Sequence, residues 1–313
     1  MNRERQRDMR RLRVAIVGPG RLGQAMGKLL LEAGIEIRFV AARRIAQARR
    51  AVQFIGAGQA VSLGDPRLAE ADVILITTSD AAVGAVAREI AVCRDDWAKH
   101  VVLHTCGSLA ASVLEPFKRR GAWIGSLHPY QTIPGPKAGL RNLVGCYWAV
   151  EGDTRASELA RWWVKSLRGR AFEISPGAKA LYHLSAFLVC PTVVTLMDYS
   201  AKLLRQAGVP SGIIRPMLRQ FVSETARNFA ELGAKKALTG PAVRGDWETL
   251  ERHVAQLRRF APEVVPAYRE LLGLMLRLAG VAAGTSSAGK GPRARAGRDA
   301  SSKKKGRGTQ PRP

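Results

Sequence analysis

The chain has 313 residues, 46% hydrophobic and 24% charged. That is enough apolar material for a sizeable core, and it excludes collagen-like, coiled-coil and wholly disordered classes. Fifty Lys and Arg against 25 Asp and Glu give a formal charge of +25, which favours anionic ligands or acidic surfaces without choosing among them.

Residues 12–17 (LRVAIV) read as a buried strand, GPGRLG follows, and a helix then runs to Gly34. Residues 35–40 (IEIRFV) form a second strand and 43–55 a second helix. ADVILITT (71–78), VVLHT (101–105) and AWIGSL (122–127) continue as strands, with helices over 81–92 and 108–120 between them. Strand–helix alternation of this kind implies a doubly wound parallel sheet covered on both faces, a Rossmann-like α/β fold. A further strand is expected over 143–150, a helix over 154–167 and a strand over 170–174. Long helical patterns then cover 178–207, 211–237, 246–260 and 262–278, so an all-α domain follows. The expected organisation is a basic arm (1–12), a dinucleotide-binding domain (13–150), a helical substrate and dimerisation domain (151–279), and a disordered basic tail (280–313).

The longest apolar stretch, Leu181–Met197, contains His183, Ser185 and Pro191 and is expected to be a buried helix, not a membrane span. Four dispersed cysteines without a CxxC pair suggest a reduced, cytoplasmic chain with neither disulfides nor a zinc site. His100 and His104 flank a strand and lack an HExxH pattern, so no metal is expected. Ser108 and Ser126 lie in no GxSxG elbow, which argues against a serine hydrolase.

Gly18-Pro19-Gly20-Arg21-Leu22-Gly23 fits GxGxxG between a strand and a helix, the context that gives the pattern meaning. The first glycine permits the tight turn, the second lets the backbone approach a pyrophosphate, and the third lets helix and strand pack closely. The free N–H groups of the helix start then face the phosphates. The second strand ends in Ala42-Arg43-Arg44 with no acid for the ribose hydroxyls. Two guanidinium groups there suit a 2′-phosphate, so the expected cofactor is NADP. Thr77 and Ser79, at a strand's carboxyl end, are expected to line the cofactor crevice on its nicotinamide side. Asp80 reads equally as a plain helix cap or a crevice residue.

VAIVGPGRLG (14–23), HTCGSL (104–109), GSLHPYQT (125–132), KALYH (179–183) and LTGPAVRGD (238–246) together resemble a family that pairs an NADP-binding Rossmann-like domain with a C-terminal helical domain of unknown function. That family is distantly similar to ketopantoate reductase and pyrroline-5-carboxylate reductase. The resemblance implies a dinucleotide-dependent oxidoreductase, dimeric through its helical domain. It also exposes a departure: such proteins read like FASN in the helix after Tyr182-His183, whereas this chain reads Phe187-Leu188-Val189-Cys190-Pro191, with Cys190 near the expected Asn. Pro191 would kink the helix or begin a new one.

Hydride transfer to a carbonyl or imine needs a proton donor and a group that holds the developing charge. His128, at a strand end before Pro129, and Lys179 and His183, one helical turn apart, are the candidate catalytic residues. Gln131, Tyr182 and Arg244 are candidate substrate ligands, with Asp246 expected to cap the next helix. The expected function is NADPH-dependent reduction of a small keto acid or imine. A non-catalytic NADP-binding regulator is the alternative, and the basic tail suggests non-specific nucleic-acid contact.

Overall fold

The computed structural model describes residue 9 and residues 11–281; the expectations for the basic tail, and for nearly all of the N-terminal arm, lie outside the described residues. The described chain divides into two compact units that meet in sequence between Leu196 and Met197.

The first unit is built on one eight-stranded sheet. Its strands are β1 (Arg13–Val17), β2 (Glu36–Ala42), β3 (Gln59–Ser62), β4 (Val73–Ile76), β5 (Val101–His104), β6 (Trp123–Pro129), β7 (Tyr147–Gly152) and β8 (Arg170–Glu173). They lie in the order β3-β2-β1-β4-β5-β6-β7-β8. The chain moves outward from β1 to β3 and then returns to the other side of β1 at β4. The two halves part there, and such a switch point opens a crevice at the strands' carboxyl ends.

Alternating side chains explain the double winding. Val14 and Ile16 of β1 enter one apolar cluster, with Leu30 of α1 (Arg21–Glu32), Ile55 of α2 (Ile45–Ile55) and Trp163 of α6 (Thr154–Ser166). Ala15 and Val17 enter the other, with Val83 and Ile90 of α3 (Asp80–Ala91) and Phe117 of α4 (Glu115–Lys118). Strands buried on both faces read as unbroken apolar runs, as VILI of β4 and VVLH of β5 do.

The structure corrects several expectations. The sheet is not wholly parallel, because β7 runs antiparallel to β6 and β8 then pairs parallel with β7. The α/β layer therefore extends to Glu173, beyond the expected boundary at 150. The helix expected over 108–120 shrinks to a 3-10 turn at Ala111–Leu114 and α4, with Pro116 inside it. Strand β3 and helix α5 (Pro136–Asn142) had no clear sequence signal, being short.

Helix α7 (Lys179–Gln206) runs unbroken through Pro191. Proline lacks an N–H to bond the Phe187 carbonyl, and the Thr192 hydroxyl donates to that carbonyl instead, at 3.4 Å. The expectation that this helix is buried fails: none of its most apolar stretch is buried, and Leu181, Leu188 and Val189 are 70%, 60% and 61% exposed. By length and composition, residues 176–206 could cross a membrane.

The second unit continues with α8 (Ser211–Ala237), α9 (Pro241–Arg244), α10 (Trp247–Phe260) and α11 (Val265–Ala279). Helix α8 breaks at Gly233, whose φ of 73° is left-handed. Asp246 caps α10 as expected, its carboxylate accepting from Thr249 N at 3.2 Å. Arg244 is the last residue of α9 and belongs to this second unit.

Candidate functional site

The crevice beside β1 and β4 contains a cavity of about 540 Å³ lined by Gly18, Gly20, Arg43, Arg44, Thr78 and Ser79, among others. Gly18 turns the chain with φ +77°, and a Cβ there would lie 2.3 Å from Thr78 Cγ2. Gly23 is forced by packing, since its Cβ would lie 2.2 Å from Thr77 Oγ1. Gly20, at the N-terminus of α1, would carry a Cβ with nothing closer than 3.9 Å; it leaves the backbone open to a ligand. The Pro19 carbonyl is held by Gln24 Nε2 at 3.0 Å, Arg21 is the exposed first residue of α1, and Leu22 packs against the core.

Thr77 and Ser79 line this cavity, but the Thr77 hydroxyl is already committed. Its hydroxyl donates to the Gly18 carbonyl at 2.7 Å and the side chain is buried, so it pins the glycine turn. The neighbouring Thr78, which sequence reasoning passed over, has a buried hydroxyl with no hydrogen-bond partner among the described residues. A buried hydroxyl without a partner costs free energy, and here it sits in the wall of the cavity. Arg43 and Arg44 are exposed at the end of β2. A glycine cradle at a helix start, a hydroxyl unspent among the described residues and two exposed guanidinium groups fit a dinucleotide carrying an extra phosphate.

A second cluster forms farther along the same carboxyl edge, after β4, β5 and β6 and at the start of α7. His128 Nδ1 lies 2.9 Å from the Tyr182 hydroxyl; the His128 and His183 ring centres are 6.1 Å apart. Gly107, between β5 and the 3-10 turn, touches both. A Cβ on it would lie 2.7 Å from His128 Nε2 and 2.8 Å from His183 Cδ2. Gly107→Ala is therefore expected to displace both rings and lower turnover about 10²-fold while leaving NADPH affinity unchanged; steady-state kinetics beside a calorimetric titration checks this.

Burial, with the charges of Lys179 and His183, pushes the His128 imidazole down to about 4. The Tyr182 hydroxyl bridges His128 Nδ1, at 2.9 Å, and the His128 carbonyl, to which it donates at 3.4 Å. Burial also pushes the Tyr182 phenol well above its ordinary value. Asp80, open in the sequence between a plain cap and a crevice residue, lies in the first turn of α3, with Ser79 at the cap position. The Asp80 carboxylate accepts from Ser108 Oγ at 2.8 Å. Burial opposes its ionisation, but the bonds from Cys106 and Ser108 and the nearby histidines outweigh it and hold its carboxyl below the usual range.

Lys179 lies behind this cluster, 1% exposed. Its Nζ donates to the Cys106 carbonyl at 3.1 Å and to Ser126 Oγ at 2.9 Å. Ser126 Oγ donates in turn to Glu151 at 3.2 Å, and Glu151 also accepts from Ala111 N at 2.7 Å. The lysine thus ties the start of α7 to β6, β7 and the loop after β5. Glu151 has no sequence signal, and Ser126 is weighed there only as a hydrolase serine, because their partners lie 25 to 53 residues away.

His104, considered in the sequence only as a metal ligand, is fully buried. Its Nδ1 accepts from Cys106 N at 3.1 Å and Nε2 reaches the Ala110 carbonyl at 3.3 Å, which shapes the loop bearing Gly107. Among the described residues no group of His, Cys, Asp and Glu could hold a metal.

Burial pushes His104 down to about 3 and His128 to about 4. Both folded values lie below the unfolded value, so acid favours the unfolded chain. The stability from these neutral rings is complete above about pH 6.5 and is lost as pH falls toward about 4. Thermal melts taken between about pH 7 and 4.5 are expected to show a falling Tm, with a smaller fall in His104→Asn. A flat profile would contradict the burial.

Beside the two histidines lies a further cavity of about 340 Å³, whose lining includes Tyr130, Gln131, Phe187 and Cys190. Gln131 spends its carbonyl on Thr132 N at 2.8 Å. The structure therefore brings His128, Gln131, Tyr182 and His183 together, with Lys179 behind them.

Family profiles match two segments: a Rossmann-like domain over residues 2–129 and a domain of unknown function, DUF2520, over 146–273. No curated protein matches the chain by sequence. Among solved structures the chain is similar to BF3122 of Bacteroides fragilis, named as a candidate NADP oxidoreductase, at 22% identity and a TM-score of 0.72, over 86% of this chain and 99% of that one. It is similar to TM1727 of Thermotoga maritima at 23% identity and a TM-score of 0.64, over 85% and 98%. An imine reductase from a Pseudomonas species shares 17% identity with a TM-score of 0.58, over 87% and 95%. At these identities the likeness is one of fold. The resemblance drawn from the sequence motifs is borne out by the paired profiles: the chain carries a Rossmann-like domain followed by a DUF2520 domain.

Proposed function

We propose that the protein is an NADP-dependent oxidoreductase that reduces a small carbonyl or imine compound. The observation that carries the reading is the glycine-floored cavity at the switch point, with its Thr78 hydroxyl unpaired among the described residues and two exposed arginines, on the same sheet edge as the histidine cluster. The cofactor named for BF3122 supports it. Bound NADPH would supply the hydride; the chain would orient it and manage the proton. Gly18 and Gly20 leave open the approach to the N–H groups at the start of α1 for the pyrophosphate, and Arg43 and Arg44 hold the 2′-phosphate. His183 delivers the proton to the reduced atom, while His128, placed by Tyr182 and taken in the tautomer protonated on Nε2, offers that N–H to the developing charge. Lys179 keeps the helix start in place and does not itself donate, because its ammonium is sealed and committed to protein acceptors. The test is a calorimetric titration with NADPH followed by a carbonyl and imine panel read by NADPH absorbance. The expected result is micromolar binding and turnover of at least one panel member. Binding without turnover across the panel would favour the regulatory alternative, and no heat with either nicotinamide coenzyme defeats both.

The exposed apolar surface of α7 supports a second proposal, that two copies of the chain pair through it. Leu181, Leu184 and Leu188 fall on one stripe at helical spacing, 70%, 48% and 60% exposed. Such a stripe in water calls for a cover, and a two-fold pairing brings the same stripe from a second copy. Light scattering on a sizing column is expected to give twice the chain mass, falling to the monomer in Leu184→Glu/Leu188→Glu. A monomeric wild type, or one that partitions into lipid vesicles, contradicts the pairing.

A further inference from the structure

We infer that the cavity beside His128 and His183 selects an uncharged carbonyl or imine carrying an apolar, ring-sized substituent over a keto acid, an inference that rests on the reductase reading above. The cavity holds about 340 Å³, and among the described residues no Lys, Arg, Asp or Glu lines it. Tyr130, Phe187, Val189 and Pro191 supply apolar wall, and Gln131 and Thr132, both uncharged, stand beside the histidines. Of the lining side chains only His128 and His183 can carry a positive charge; His128 is neutral and His183 is engaged by the reacting group, so a carboxylate placed there would give up part of its water without a cation of its own. His128 stays neutral, held down to about 4 by burial and by the charges of Lys179 and His183, and the Lys179 ammonium is 1% exposed.

The helix wall contributes little polarity of its own. Pro191 leaves the Phe187 carbonyl without its helical partner, yet the Thr192 hydroxyl takes that carbonyl at 3.4 Å. Where the family resemblance leads one to expect an asparagine, Cys190 lines the cavity with a thiol. A thiol is a weak donor and a weak acceptor, and it packs as a small apolar group. The size is also suitable: an apolar cavity of roughly 150 Å³ already admits benzene, so there is space here for a ring beside the reacting group.

Matched compounds separate ring from charge. Phenylacetone, acetone and phenylpyruvate are compared on the NADPH-bound protein by NADPH oxidation and, independently of turnover, by saturation-transfer NMR. Phenylacetone is expected to exceed each of the other two on the order of tenfold in kcat/KM or in affinity. Filling the cavity with Ala186→Phe is expected to reduce that advantage about tenfold while NADPH affinity is unchanged. A preference for phenylpyruvate, an equal response to all three, binding of none of them, or an Ala186→Phe variant that keeps the full preference overturns the inference. Failure of NADPH itself to bind is read separately by calorimetry and defeats the reductase reading instead.

Discussion

Replacing Arg43 and Arg44 together with alanine is expected to raise the Kd for NADPH about 10²-fold and to change that for NADH by less than about threefold. Both side chains are exposed at the carboxyl end of β2, in the wall of the cavity that Gly18 and Gly20 floor. A hydrogen bond to a charged group contributes roughly 1.5–3 kcal/mol, so losing one or two of them corresponds to about two decades in affinity. The unmodified ribose of NADH has no phosphate to lose. Each single substitution is expected to produce part of the effect, because two guanidinium groups share one dianion. The contribution is also expected to shrink with added salt, since both groups face solvent. Titration of both coenzymes into the wild type and the double variant decides it. Equal weakening of NADPH and NADH would mean that the arginines support the fold of the β2 end and do not read the phosphate.

The second large effect is expected at Lys179. Lys179→Met removes a buried ammonium that donates to Ser126 Oγ and the Cys106 carbonyl, with Glu151 next in the chain of bonds. Removing one partner of a buried charged network leaves the others uncompensated, at a cost on the order of 3 kcal/mol. For a unit the size of the first, which ends at Leu196, that is a fall in Tm of about 6–12 °C. Glu151→Gln in the same background is expected to cost less than it does alone, because the carboxylate has already lost its countercharge. This coupling separates a holding role from a catalytic one. If the Tm of Lys179→Met is unchanged while the pH profile of turnover loses one limb, the lysine is the proton donor and the assignment to His183 is wrong.

Helix α7 shows where local pattern stops being informative. Its residues are apolar enough to predict a helix from the sequence, and the helix is there. The same composition suggested burial, yet most of its apolar side chains face outward. Hydrophobicity states that a surface needs a cover, not which surface covers it. The histidine cluster makes the complementary point. His128, Tyr182 and His183 were legible as chemistry-bearing residues, and the structure places them within reach of one another. Their supports were not legible: Gly107 stands out only once its missing Cβ is seen to make room for two rings. Ser126, Glu151 and Thr78 are ordinary residue types whose importance comes from partners, or the lack of one, remote in the chain.

Taken alone, the sequence determined the Rossmann-like alternation, the glycine turn and the two arginines that end β2. These are signals of short range, carried by strand composition, helix starts and turn geometry within a few residues. Only the tertiary structure decided that β7 turns antiparallel and extends the sheet to Glu173, that Thr77 pins the glycine turn, and that Lys179 holds the edge of the site. Strand direction, hydrogen-bond partners and burial depend on segments brought together across tens of residues, and no local pattern records which segments those will be.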